Sequence, residues 1–140
     1  MVVTIMGVVA AIAMPRFSGA QTRYRVMSAA HRIVTDLELA RQKALTTSKT
    51  QTLEWKPGSG FYVISNEKGL DRPGTTTHSV KLGDEPYRVS VTTWNFGGNQ
   101  IVSFDPYGVP DSDGEIIISV KGYSRRILLD PVSGRADIQP

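Results

Sequence analysis

Residues 18–48, SGAQTRYRVMSAAHRIVTDLELARQKALTTS, decide the fold. Val26, Ala30, Ile33, Val34, Leu37, Ala40, Ala44 and Leu45 recur mostly three or four residues apart, which sets them on one apolar stripe of an α-helix. Arg23, Arg25, Arg32, Asp36, Glu38, Arg41, Gln42, Lys43 and Lys49 fall mostly off that stripe. No Gly or Pro interrupts the chain from Ala20 to Lys56, and Thr46-Thr47-Ser48 lowers helix propensity where the helix should stop. About 30 residues at 1.5 Å each make a rod of roughly 45 Å, longer than a small domain can cover. The C-terminal half of the stripe is expected to pack on a sheet through Val26, Ile33, Leu37 and Ala44.

Ahead of this helix, Met1–Met14 (MVVTIMGVVAAIAM) carries no charge and one polar side chain, Thr4. The run is shorter than the roughly 20 residues that cross a bilayer. Three readings stand side by side: a signal-peptide core, a buried core helix, or the end of a longer membrane segment. A signal core wants a basic residue before it and a small-residue cleavage site after it, whereas Met14-Pro15-Arg16 follows here. Proline inside a helix removes a hydrogen bond and kinks it, so Met1 to about residue 48 reads as one kinked helix, greasy at one end and amphipathic at the other.

After residue 50 the pattern turns to short β-rich runs between turn residues. Candidate strands are Thr50–Trp55, Phe61–Ser65, Ser79–Leu82, Arg88–Trp94, Ile101–Phe104, Glu115–Val120, Arg125–Leu129 and Ala136–Ile138. The short connections imply antiparallel hairpins and meanders. Lys121-Gly122-Tyr123-Ser124 should turn a hairpin, and Leu70–Thr77 reads as a flexible loop. The order is α+β, a long N-terminal kinked helix packed on an antiparallel β head. Three parts follow: residues 1–16 apolar, 17–49 amphipathic helix, 50–140 β head.

Composition narrows the function. The chain has 140 residues, no Cys, 16 Lys+Arg against 13 Asp+Glu, and a net charge of +3. Without Cys there is no disulfide framework, thiolate metal site or Cys nucleophile. The positive charge is local: residues 15–50 hold seven basic and two acidic side chains, residues 51–140 nine basic and eleven acidic. No phosphate-binding glycine loop, zinc-protease motif or serine-hydrolase elbow occurs. His31 and His78 have no Ser/Asp or metal-ligand spacing and read as solvated or partly packed. Asp111 and Asp113, in Asp111-Ser112-Asp113-Gly114-Glu115, with Asp105 nearby, resemble a fragment of a calcium loop, but the further ligands that a full loop needs at fixed spacing do not occur, and a solvated turn is the favoured reading. Arg125, Arg126 and Arg135 are the only basic cluster of the β region and the candidate nucleic-acid contact, with Asp130 and Asp137 close in sequence. Trp55, Trp94, Phe61, Phe96 and Tyr62 sit in or beside strands and read as core. No cofactor and no enzymatic activity are expected.

The N-terminal run, with Gly7, Ala10-Ala11-Ile12-Ala13 and Pro15, resembles the N-terminal segment of type IV pilins and type II secretion pseudopilins. Leu37–Leu45 (LELARQKAL), the Phe104-Asp105-Pro106-Tyr107-Gly108 turn and Ser133-Gly134-Arg135 are similar to the GspH/FimT group of minor pseudopilins and minor pilins. That family's basic leader, cleavage site, methylated N-terminal residue and nearby glutamate do not occur. Met1 falls several residues inside the family segment, as expected of a start assigned downstream or a trimmed chain, which a prepilin peptidase could not process as it stands.

The resemblance implies a non-enzymatic subunit that is single-pass in the bacterial inner membrane with a periplasmic head, and filamentous after assembly. Ile5, Val8, Val9, Ile12 and Pro15 would then pack against neighbouring subunits, and the basic helix face would meet their acidic surfaces. Partners would be other pilins or pseudopilins, the inner membrane before assembly, and secreted cargo. The alternative is a DNA-binding minor pilin for uptake. Some of that group end in a Gly-Arg-x-Arg-like tail; Gly134-Arg135-Ala136-Asp137 puts an acid at the fourth place, which disfavours nucleic acid. A second rival is a soluble domain with residues 1–14 buried.

Overall fold

The computed structural model describes residues 2–65 and 77–140; for residues 2–18 only the backbone course is described. Helix α1 (Val2–Thr47) runs without interruption through Pro15. It ends where the sequence weakens it. The Thr46 and Thr47 hydroxyls donate to the Gln42 and Lys43 carbonyls, and Ser48 turns left-handed at φ 51°.

Eight strands follow: β1 (Gln51–Lys56), β2 (Phe61–Ile64), β3 (His78–Lys81), β4 (Ser90–Phe96), β5 (Ile101–Phe104), β6 (Gly114–Val120), β7 (Tyr123–Leu129) and β8 (Ala136–Gln139). They form two four-stranded antiparallel sheets, ordered β3-β2-β1-β5 and β4-β6-β7-β8. The expected meander holds within β1–β3 and β6–β8. Between β4 and β5 it fails, since these strands, joined by a tight Gly97-Gly98 turn, pair into different sheets. The hairpin between β6 and β7 is tighter than the four-residue turn expected. Lys121 and Gly122 alone make it, both with positive φ (47° and 84°), the twist that suits a two-residue hairpin. The expected loop at Leu70–Thr77 lies almost wholly outside the described residues.

The core sits between α1 and both sheets. Val26, Ala29, Ala30, Ile33, Leu37, Ala40 and Ala44 are buried, while Val34 is half-buried and Leu45 is 37% exposed, so the stripe is narrower than the periodicity predicts. From the sheets come Leu53, Tyr62, Ile64, Val80, Val102, Phe104, Ile116, Ile118, Ile127 and Leu129. They alternate along their strands as a half-buried sheet requires. Tyr62, Trp94 and Phe96 are core as expected; Trp55 and Phe61 are only half-buried. Trp55 stacks on Trp94 across the junction of the two sheets, with ring centroids 5.2 Å apart.

One glycine fixes this junction. Gly114 faces Phe96 across the β4–β6 ladder, and a Cβ there would overlap the Cδ1–Cε1 edge of the Phe96 ring. Gly114→Ala should therefore expel that ring and cost about 2–3 kcal/mol, measured by urea denaturation.

Candidate functional site

The interface between α1 and the head, with its two ends, holds the chemistry of this chain. Its centre is polar and buried. Asp36 and His78 are both shielded from solvent. Arg32 Nε donates to Asp36 Oδ2 at 3.1 Å, and Tyr62 Oη donates to the same oxygen at 2.6 Å. Arg32 Nη2 lies 3.1 Å from His78 Nε2. Guanidinium can only donate, so that nitrogen accepts and the ring proton sits on Nδ1. Burial works against the Arg32 charge, but Asp36 outweighs it and keeps the guanidinium's pKa above its ordinary value.

Sequence reading missed this network. It put Asp36 off the apolar stripe and left His78 solvated or partly packed. The signal was present: His78, Val80 and Leu82 alternate, so an inward Val80 in β3 requires an inward His78. Likewise Asp36 follows Ile33 by three positions and precedes Ala40 by four, at the edge of the buried face.

The end of the head from which α1 departs is basic and aromatic. The Arg23 guanidinium stacks 4.9 Å from the Tyr123 ring centroid, and a Cβ on Gly19 would touch the Tyr123 hydroxyl at 3.7 Å. Tyr24 is 74% exposed, and Lys121 caps the exposed hairpin beside them.

At the opposite end, two turns of the same construction lie side by side. In Asp105-Pro106-Tyr107-Gly108 the Asp105 Oδ1 accepts from the Tyr107 and Val109 N–H groups, and Gly108 N donates to Asp105 O. In Asp130-Pro131-Val132-Ser133-Gly134 the Asp130 Oδ1 accepts from Val132 and Ser133 N–H, and Gly134 N donates to Asp130 O. These backbone donors hold the Asp130 carboxyl below its usual range. Gly108 and Gly134 have φ of 75° and 68°, and a Cβ on Gly134 would meet the Gly108 carbonyl at 2.6 Å. Each turn presents one apolar tip to water, Tyr107 at 81% and Val132 at 85% exposure.

The candidate residues fall as follows. Val26, Ile33, Leu37 and Ala44 are buried in the helix–head core. The side chains of Ile5, Val8, Val9, Ile12 and Pro15 lie outside the described residues. Arg125 and Arg126 are not brought together, because adjacent strand residues point to opposite faces. Arg126 pairs with Glu115 at 2.8 Å, Arg125 donates to the Ser124 carbonyl, and Arg135 sits on the far β7–β8 turn. Asp111 Oδ1 accepts from Ser103 N and Ser112 Oγ. Among the described residues no three His, Asp or Glu side chains are grouped to hold a metal.

A family model described as type II transport protein GspH matches residues 29–133, from the helix–head contact almost to the end. The chain belongs to the GspH family. Its fold is similar to the type IV minor pilin FimU of Pseudomonas aeruginosa PAO1. Against the P21 crystal form the TM-score is 0.60 at 14% identity, over 84% of this chain and 90% of FimU. Against the P65 form it is 0.57 at 14% identity, over 81% and 92%. Among curated proteins no match was found. Family and fold together bear out the α+β reading of a GspH-type helix on antiparallel sheets.

The buried network has a measurable signature. Burial, then Asp36, holds the Tyr62 phenol well above the usual tyrosine range. An acid whose folded pKa is raised stabilises the fold fully below its unfolded value of about 10 and loses that contribution as pH climbs toward the folded one. Stability should thus fall above about pH 10, by up to ~1.4 kcal/mol per pH unit from this group. Tyr62→Phe should remove that slope and cost about 1–3 kcal/mol at pH 7. Urea titrations of both proteins from pH 7 to 11 check it.

Proposed function

We propose that this GspH-family chain is a minor structural subunit of a type II secretion pseudopilus or type IV pilus. It works without catalysis, through helix and head contacts that start or extend the filament. The observation that carries the reading is the division of α1. Among the residues whose side chains are described its buried face begins at Thr22 and Val26, and the helix backbone continues for some twenty residues on the other side. At 1.5 Å per residue that remainder is a rod of about 30 Å.

In this reading the apolar residues 1–16 sit in the inner membrane before assembly, with the head in the periplasm. In the filament they pack against the same segments of other pilins, exchanging lipid contacts for protein contacts at little hydrophobic cost. Among the described residues no helix is long and apolar enough to cross a membrane, and the side chains of 1–18 are not among them. The paired Asp-Pro turns support a role near the filament tip. They form a rigid, apolar-tipped platform at the end away from the stalk, suited to a neighbouring subunit or a secreted cargo protein.

The test is a chain lacking residues 1–16. It should remain monomeric and melt cooperatively, with a Tm within about 5 °C of the full chain, because the described core residues all lie beyond residue 16. In cells carrying the assembly machinery it should be missing from the sheared filament fraction, while the full chain is present. An unfolded truncation would instead mean that residues 1–14 are buried core.

A further inference from the structure

The stalk end of the head carries charges that have no acidic partner among the described residues, although Arg23 also stacks on Tyr123. No Asp or Glu occurs before Asp36 in the chain. Arg23 and Arg25 are two positions apart on α1, so their side chains leave it about 160° apart, on nearly opposite sides. The β6–β7 hairpin adds exposed Lys121 and, one strand pair further, half-buried Arg125. Among the described residues none of these four has a carboxylate within 4 Å. Other acids of the head pair with other cations: Glu85 with Arg88 at 2.7 Å, Asp84 with Lys81 at 3.5 Å, and Glu115 with Arg126 on the other face of the sheet. Tyr24 and Tyr123 stand among the cations.

We propose that this collar of Arg23, Arg25, Lys121 and Arg125, with Tyr24 and Tyr123, binds anionic phospholipid headgroups and seats the head on the membrane surface. The inference deepens the reading of residues 1–16 as a membrane segment and rests on it.

Three features favour a lipid surface over another polyanion. Charges spread around a helix all meet a plane perpendicular to its axis, whereas a duplex, being a rod, would engage only one side. Headgroups are fluid and adapt to dispersed cations, while a protein partner needs a packed apolar centre, and among the described residues Tyr24 is the one large exposed apolar group here. The spacing also fits: Arg23 follows Arg16 by seven residues, about 10 Å along the helix. That is comparable to a headgroup layer of roughly 5–8 Å plus the reach of an arginine. Tyrosine rings are enriched in that layer on either side of a membrane, and a basic side chain there gains wherever anionic headgroups are present.

The experiment uses the full chain and two vesicle types, phosphatidylcholine alone and phosphatidylcholine with 30% phosphatidylglycerol. Partitioning is measured by co-sedimentation at low and high salt. Each basic side chain at an anionic surface contributes about fivefold, so the anionic vesicles should bind at least about 30-fold more tightly at low salt. High salt should erase most of that increment. Arg23→Gln/Arg25→Gln/Lys121→Gln/Arg125→Gln should lose it while keeping its binding to neutral vesicles and a cooperative melt, with a Tm lower by no more than a few degrees for the lost Arg23–Tyr123 contact. Restoring the charge with Arg23→Lys/Arg25→Lys/Arg125→Lys should retain most of it.

An increment equal in the quadruple Gln variant and the parent would overturn the proposal. So would neutral-vesicle binding with no anionic increment, an outcome that leaves the membrane segment intact. Binding confined to anionic vesicles would support the collar and sink the apolar segment as an anchor. Should the variant keep its vesicle increment but lose salt-sensitive self-association, the collar belongs to subunit contacts and the lipid proposal falls.

Discussion

Everything in this head depends on α1 giving one face to two sheets at once. Neither four-stranded sheet closes on itself, and each turns a row of Ile, Val, Leu and aromatic side chains toward the helix. A twisted sheet with one apolar face must be covered, and a single amphipathic helix between Val26 and Ala44 covers both. That shared burial ties the sheets into one unit. It can cover only part of the helix, because the head is only as long as its seven-residue strands, about 24 Å, and the helix is far longer.

The apolar contact by itself defines position along the helix poorly. Four of its seven buried helix residues are alanines, which permit close approach but look alike from one turn to the next. The Arg32–Asp36–Tyr62–His78 network breaks that ambiguity. Sliding α1 by one turn, about 5.4 Å, would leave the Asp36 carboxylate buried without the Tyr62 hydroxyl, and His78 without its donor. An unpaired buried charge costs several kcal/mol, so the network excludes the shifted packings more than it strengthens the native one.

What the sequence made legible follows the same physics. The helix was readable from its period, the strands from β-branched runs between turn residues, and Ile101–Phe104 to the residue. These signals are local. The partition of β4 and β5 between sheets was not readable, because both strands alternate alike and only long-range packing, such as Phe96 over Gly114, decides their partners. The buried Asp36 and His78 escaped for a related reason. Polar residues are assigned outward by default, and only a partner distant in sequence makes an inward one tolerable. Arg125 and Arg126 show the converse error: neighbours in sequence look like a patch, while the strand's two-residue period sends them to opposite faces.

The head thus has two chemically different ends, and its construction explains why they remain different. At the stalk end the backbone is a two-residue hairpin beside a continuing helix, so long flexible cationic side chains supply the surface. At the far end the two Asp-Pro turns use their carboxylates internally to hold the loop, and their glycines allow the turns to touch. Those aspartates are therefore structural first. What reaches solvent is an apolar tip on each of two touching turns, Tyr107 on one and Val132 on the other. A rigid apolar tip loses little conformational entropy when another surface closes over it, whereas mobile cations track a surface that itself moves. Such a polarity suits a subunit that is held on a fluid interface at one end and meets a folded neighbour at the other.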